Sequence, residues 1–244
     1  MSDEIEIMQG KNIADACKFH SVDHLIFSSL VYVSRGRSLQ PWYCWNRAQT
    51  ELTTRITASS NTLTSVKHFD SKGKIEEYIR KLEIPCSFFL PGGFMSDFWN
   101  LFTPVNAVYT MRMPFDVRST KIPLIDAVAD SGKYVVALIL EGSTGVRVAA
   151  SAAYYTAEEM AAVYAQTTQE PTVAEEVAEA KFAATLPEKV REEILGNMRL
   201  FSTNYGYYLG EPSDAVERGH QLLDKHQLGP VVTLERFASQ KAKN

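Results

Sequence analysis

Residues 66–95 read VKHFDSKGKIEEYIRKLEIPCSFFLPGGFM, and this stretch decides the fold. Ile75, Tyr78, Ile79 and Leu82 fall at i, i+3, i+4 and i+7, so a helix is expected from Val66 to Glu83. Pro85 stops it, because proline lacks the amide proton that a further turn needs. Cys86 to Leu90 is then a short apolar strand. Pro91-Gly92-Gly93 ends it, and Phe94 to Trp99 is expected to resume as helix. Upstream, His24 to Leu30 is a second continuous apolar run, the pattern of a strand buried on both faces. Strand, helix and strand in this order form a βαβ unit, whose strands are parallel and whose crossover is right-handed.

Working outward, Ser2 can cap a helix over residues 3–19, with Asp3, Glu4 and Glu6 against the positive end of its dipole. Residues 31–65 lose periodicity and hold the aromatic cluster Trp42, Tyr43 and Trp45. Beyond the decisive stretch, Val105–Arg112 and Pro123–Asp126 are expected as strands, Ala127–Leu140 as an amphipathic helix and Gly145–Ala150 as another short strand. Thr156-Ala-Glu-Glu159 spells a capping box that opens a helix. The acidic, Ala-rich segment 173–201 reads as mostly helical with a break at Pro187, and 213–226 as a further helix. This C-terminal part is expected to pack over the crevice at the strand ends, where α/β proteins bind ligands.

The 244 residues carry a formal net charge of −4, which supplies no field for nucleic acid or anionic lipid. Cys17, Cys44 and Cys86 form no C-x-x-C pair, so free thiols in a reducing compartment are expected rather than disulfides or a zinc site. His20, His24, His220 and His226 have no metal-ligand spacing. No run approaches 18 apolar residues, so no membrane span is expected. The acidic start MSDEIEIMQGK excludes a secretory leader, and the expected location is cytoplasmic, with a nuclear address left open.

Two groups of residues can carry chemistry. His68 and Lys72 share one helix face, their Cβ atoms roughly 5–6 Å apart. The ammonium disfavours a second positive charge, which would keep the imidazole neutral as a general base. The same pair also suits a solvated helix start. Ser28 and Ser29 stand at the carboxyl end of the first strand, where a hydroxyl can hold a substrate oxygen or simply end a strand. Gly92, Gly93, Phe94 and Met95 pass from strand to helix, where glycine allows a ligand close to the backbone or merely permits a tight turn. Tyr205-Gly206-Tyr207-Tyr208 can line a pocket or pack a core. No G-x-S-x-G elbow points to a hydrolase.

Taken together, these segments resemble the NmrA-like family, a branch of the atypical short-chain dehydrogenase/reductases. The matching pieces include Gln9-Gly10-Lys11-Asn12-Ile13-Ala14-Asp15-Ala16, Val22 to Leu30, His68-Phe69-Asp70-Ser71-Lys72, Leu90 to Phe98, and Thr156 to Met160. The resemblance implies an α/β fold: an incomplete Rossmann-like parallel sheet flanked by helices, with a small, mostly helical C-terminal substrate region. It divides the chain into a truncated Rossmann-like region at 1–122, with an irregular insertion at 31–65, and a substrate or lid region at 123–244, folded as one unit. It implies NADP(H) as cofactor, with Lys72, Gly92, Gly93, Phe94 and Met95 beside it. His68, Lys72, Ser28 and Ser29 would be catalytic, acting on a small organic metabolite, often in fungal secondary metabolism.

Other members are thought to sense NADP(H) and dock a protein partner without turnover. A third possibility is a cofactor-independent isomerase or cyclase that keeps only the pocket. The family's glycine-rich dinucleotide turn lies ahead of the matching segments, and only Gly10 and Gly36 precede Val66 here. That departure and the long 31–65 segment read either as real features or as a misplaced start and retained intron in the gene. An exposed sheet edge would favour association into an oligomer.

Overall fold

The computed structural model describes residues 3–34, 66–203 and 206–241. Trp42, Tyr43, Trp45, Tyr205 and nearly all of the irregular 31–65 segment lie outside the described residues. Helix α1 (Asp3–Phe19) leads into strand β1 (Leu25–Ser28), followed by α2 (Lys67–Lys81) and β2 (Cys86–Pro91). Next come β3 (Gly93–Phe94), a 3-10 turn (Met95–Leu101), β4 (Thr103–Val105), β5 (Val108–Met113) and β6 (Lys121–Ile125). Helix α3 (Ala127–Glu141) precedes β7 (Arg147–Ala150), β8 (Ala153–Thr156), α4 (Ala157–Thr168) and β9 (Thr172–Glu176). Four helices finish the chain: α5 (Glu179–Ala184), α6 (Glu188–Phe201), α7 (Ala215–Lys225) and α8 (Leu234–Lys241).

The βαβ unit forms as the sequence dictates. β1 pairs with β2 in parallel, Leu25 opposite Cys86 and Ser28 opposite Phe89. β7 joins the other side of β2, also in parallel, giving the order β1-β2-β7. Every residue of β2 is buried, which explains why its sequence is an unbroken apolar run. Between them α2 buries Phe69, Ile75 and Ile79, each stabilising the fold by about 2 kcal/mol. Helix α1 lies against α2 at Gly10, where even a Cβ atom would stand 2.5 Å from Ile75 Cδ1.

Two further sheets extend the fold beside the first. β3, β6 and β8 form one, with β3 parallel and β8 antiparallel to β6. β4, β5 and β9 form the other. Helix α3 is capped by the Asp126 carboxylate, which accepts from the amides of Val128 (3.1 Å) and Ala129 (3.2 Å). The capping box at Thr156 and Glu159 is formed and starts α4.

Three elements differ from the sequence expectation. The segment at 173–201 is not helical throughout: Thr172–Glu176 is a strand, paired in parallel with β5. Its Ala and Glu residues favour helix, but the pairing with β5 overrides that local preference. Val105–Arg112 is not one strand but the β4–β5 hairpin, closed by Asn106 (φ 49°) and Ala107 (φ 64°) in the left-handed region. Met95–Leu101 winds as a 3-10 turn rather than an α-helix.

Candidate functional site

The carboxyl ends of β1 and β2 open onto a cavity of about 580 Å3. Ser28, the last residue of β1, lines it together with Pro91, Gly92, Gly93 and Phe94 where β2 ends. His68 and Lys72, in the first two turns of α2, line the same space. Residues 28, 68, 72, 92, 93 and 94, taken as candidates from the sequence, therefore converge. Ser29 and Met95 do not. Strand alternation turns Ser29 inward, where its fully buried hydroxyl donates to Glu76 at 2.6 Å. Met95 is buried in the core beside Phe98 and Phe102.

Gly92 is explained by steric closeness, not by a left-handed turn. A Cβ there would lie 2.7 Å from the Pro123 carbonyl oxygen and 3.2 Å from Ser151 Cβ. β2 thus crosses to β3 under a neighbouring backbone with no room for a side chain. Gly93 is tight against Leu124 in the same way, at 3.3 Å.

The basic pair is not isolated, as the spacing alone suggested. Lys72 Nζ donates to Glu6 of α1 at 2.8 Å, and Ser71 donates to the other oxygen of the same carboxylate. Partial burial acts to raise the Glu6 pKa, but the hydrogen bonds from Lys72 and Ser71 outweigh it and hold the carboxyl below its ordinary value. His68 Nδ1 lies 2.7 Å from a Glu193 oxygen of α6. Lys72 and His68 thus each have a carboxylate at their back, contributed by a different helix. Glu6 and Glu193 had no signal in the sequence, because both are surface-type residues far from residues 66–95.

The other wall of the cavity is mostly apolar, with Asp97 and Asn197 as its polar members. Met111 and Met113 point into it from β5, Met160 from α4 and Met198 from α6. Phe201 and Tyr207 close it, and burial pushes the Tyr207 phenol well above its ordinary pKa. Tyr208 is directed away, its hydroxyl donating to the Leu90 and Ala150 carbonyls at 3.2 Å each. The i, i+2 spacing of Met111 and Met113 on a strand is the one clue to this wall that the sequence held. A thioether wall is soft and adapts to the shape of a bound apolar molecule.

Among the described residues, no group of three His, Cys, Asp or Glu side chains is arranged to hold a metal ion. No helix among them is long and apolar enough to cross a membrane. His24 bonds Ser87, His220 the Ser151 carbonyl, and His226 the Glu141 carboxylate, so these three histidines have structural partners. A shallower groove of about 470 Å3 between α1 and α2 shows no such convergence of reactive groups.

The fold is that of several solved proteins. NmrA, a negative transcriptional regulator crystallised with NADP, superposes with a TM-score of 0.69 at 18% identity, over 96% of this chain and 69% of that one. The NADPH-dependent quinone oxidoreductase of Escherichia coli, solved with NADPH, gives 0.62 at 15% identity over 96% and 70%. The triphenylmethane reductase of Citrobacter sp., solved with NADP(H), gives 0.62 at 14% identity over 98% and 72%. At such identities the likeness shows a Rossmann-like fold. The sequence pattern of the NmrA-like family, in turn, matches residues 50–233, three quarters of the chain, and the chain belongs to that family.

Proposed function

We propose that this protein is an NADP(H)-dependent oxidoreductase acting on a small, apolar carbonyl or imine compound. The observation that carries this reading is the meeting of Ser28, His68, Lys72, Gly92 and Gly93 around one cavity with an apolar far wall. That arrangement matches the usual build of a small-molecule site, mostly apolar with a few convergent polar groups.

The residues present fit the nicotinamide and ribose end of the cofactor. Gly92 and Gly93 leave the backbone bare beside the cavity, and Lys72 stands there as a hydrogen-bond donor. Lys72 would exchange part of its contact with Glu6 for the ribose hydroxyls. When bound, the cofactor supplies or accepts hydride. His68 gives or takes the proton at the substrate heteroatom, with Glu193 holding its ring from behind. Ser28 donates a hydrogen bond to the substrate oxygen and fixes its orientation. The four methionines exclude water from the apolar body of the substrate.

Titration with NADPH, followed by nicotinamide fluorescence, tests the reading. Saturable micromolar binding that Lys72→Ala weakens by about tenfold (~1.4 kcal/mol) is the expected outcome. Substrate-dependent NADPH oxidation lost in His68→Ala would then support turnover. Binding without oxidation of any carbonyl or imine would instead favour a sensing protein that docks a partner. No saturable binding would sink both readings and leave a cofactor-independent isomerase.

A further inference from the structure

His68, Lys72 and Asp97 line the cavity as its acidic and basic side chains. Lys72 is matched by Glu6 and His68 by Glu193. Asp97 has no such match: among the described residues it makes no hydrogen bond or ion pair. It belongs to the 3-10 turn that follows Phe94. Side chains three apart eclipse in such a turn, which places the Asp97 carboxylate on the side of the Phe94 ring, and both line the cavity.

The proposed reduction leaves Asp97 without a task, since His68 handles the proton and Lys72 the ribose. A carboxylate beside the substrate that the chemistry does not use still selects: it favours a positive ligand and disfavours a negative one. The rest of the wall suits the same charge. Tyr207 stacks on Phe201 with ring centroids 5.5 Å apart and meets Phe69 edge-on at 5.3 Å. Phe94 adds a further ring, 48% exposed. Aromatic faces are electron-rich and thioethers polarisable, so both attract an organic cation. A small hydrated ion gains little there, because rings and methionines do not replace its water. A nitrogen cation set in a carbon skeleton gives up far less.

We infer that Asp97 and Phe94 form a cation subsite, and that the substrate is an apolar organic cation with its charge on an iminium nitrogen. This rests on the oxidoreductase reading above and narrows it from carbonyl or imine compounds to the cationic imine form. Transfer of a proton from protonated His68 to an imine nitrogen makes the same cation inside the site and leaves the imidazole neutral. Asp97 then stabilises the charge.

Equilibrium dialysis of the full chain against N-methylisoquinolinium and its neutral isostere methylnaphthalene, with and without saturating NADPH, tests the inference. The cation is expected to bind about tenfold tighter, with a preference that shrinks as salt rises. Asp97→Asn should lower the cation's affinity by about tenfold and leave that of methylnaphthalene unchanged, whereas Asp97→Glu should keep most of the preference. Asp97 is exposed and unpaired among the described residues, so neither change threatens the fold. Equal affinities, preference for the neutral ring, no binding of either, or a preference that survives Asp97→Asn would overturn the inference. So would an Asp97→Asn effect confined to the choice between NADP+ and NADPH, which would put the carboxylate against the nicotinamide. A cation preference in protein that binds no NADPH would instead remove the reductase reading and keep the subsite.

Discussion

Glu76 is a carboxylate almost wholly removed from water, and its partners surround it. Ser29 donates to one oxygen at 2.6 Å, while Arg80 (2.9 Å) and Arg147 hold the other. Arg147 also reaches Glu211 at 2.7 Å, and Arg80 lies over the Phe88 ring at 4.3 Å. Glu76→Ala would leave the largely buried Arg147, and the exposed Arg80, without this counter-charge, at a cost of about 3 kcal/mol. A lowered urea midpoint measures it, and an unchanged midpoint would refute it. Sequence reasoning treated Ser28 and Ser29 as equivalents. Only the pleat separates them, sending one hydroxyl to the cavity and the other to this cluster.

Glu6 makes a prediction in pH. Its folded pKa is lowered, so its contribution to stability is complete above the ordinary carboxylate value. It is lost as pH falls through the folded value. Stability of the wild-type chain should therefore decline more steeply between about pH 5 and pH 3 than that of Glu6→Gln, in thermal melts at matched ionic strength. Parallel declines would show that the pair with Lys72 adds nothing.

Among the elements, two glycines should respond oppositely to the same change. Gly92→Ala forces a methyl group against the Pro123 backbone and should cost about 1–3 kcal/mol. Gly132 sits inside α3 with nothing within 4 Å of an added Cβ, so Gly132→Ala should stabilise by up to ~1 kcal/mol. Paired denaturation curves decide both. The βαβ unit was legible because Ile75, Tyr78, Ile79 and Leu82 repeat with helical period and Pro85 punctuates them. β9 was not, because Thr172 to Glu176 owes its conformation to the partner strand rather than to its own residues. Beyond the Met111 and Met113 pair, the methionine wall was hidden too, since it is assembled from β5, α4 and α6, which no local pattern relates.

At the level of the whole molecule, ligand linkage offers a check on the cavity. NADPH at about a hundred times its dissociation constant should raise stability by ~2.7 kcal/mol, several degrees in the melting temperature. Lys72→Ala should shrink that rise, and an equal rise in both proteins would place the cofactor elsewhere. The fold class followed from one βαβ unit and a family resemblance, whereas the three-sheet arrangement followed from neither. β6 takes its partners from residues 93–94 and 153–156, and β5 takes β9 at 172–176 beside its hairpin neighbour β4, pairings that no local pattern relates.

The central strand β2 has a final consequence, which concerns time. Leu25 waits about sixty residues for Cys86, and Phe88 waits about as long for Arg147. Closing such distant pairs is entropically expensive and slow. As the chain emerges during synthesis, the first sheet stays unfinished until Ala150 has appeared. The cavity then lacks its α6 wall until Phe201 follows. The ligand site is therefore among the last parts of the protein to come into being, and a nascent chain carries its apolar strands unshielded until then.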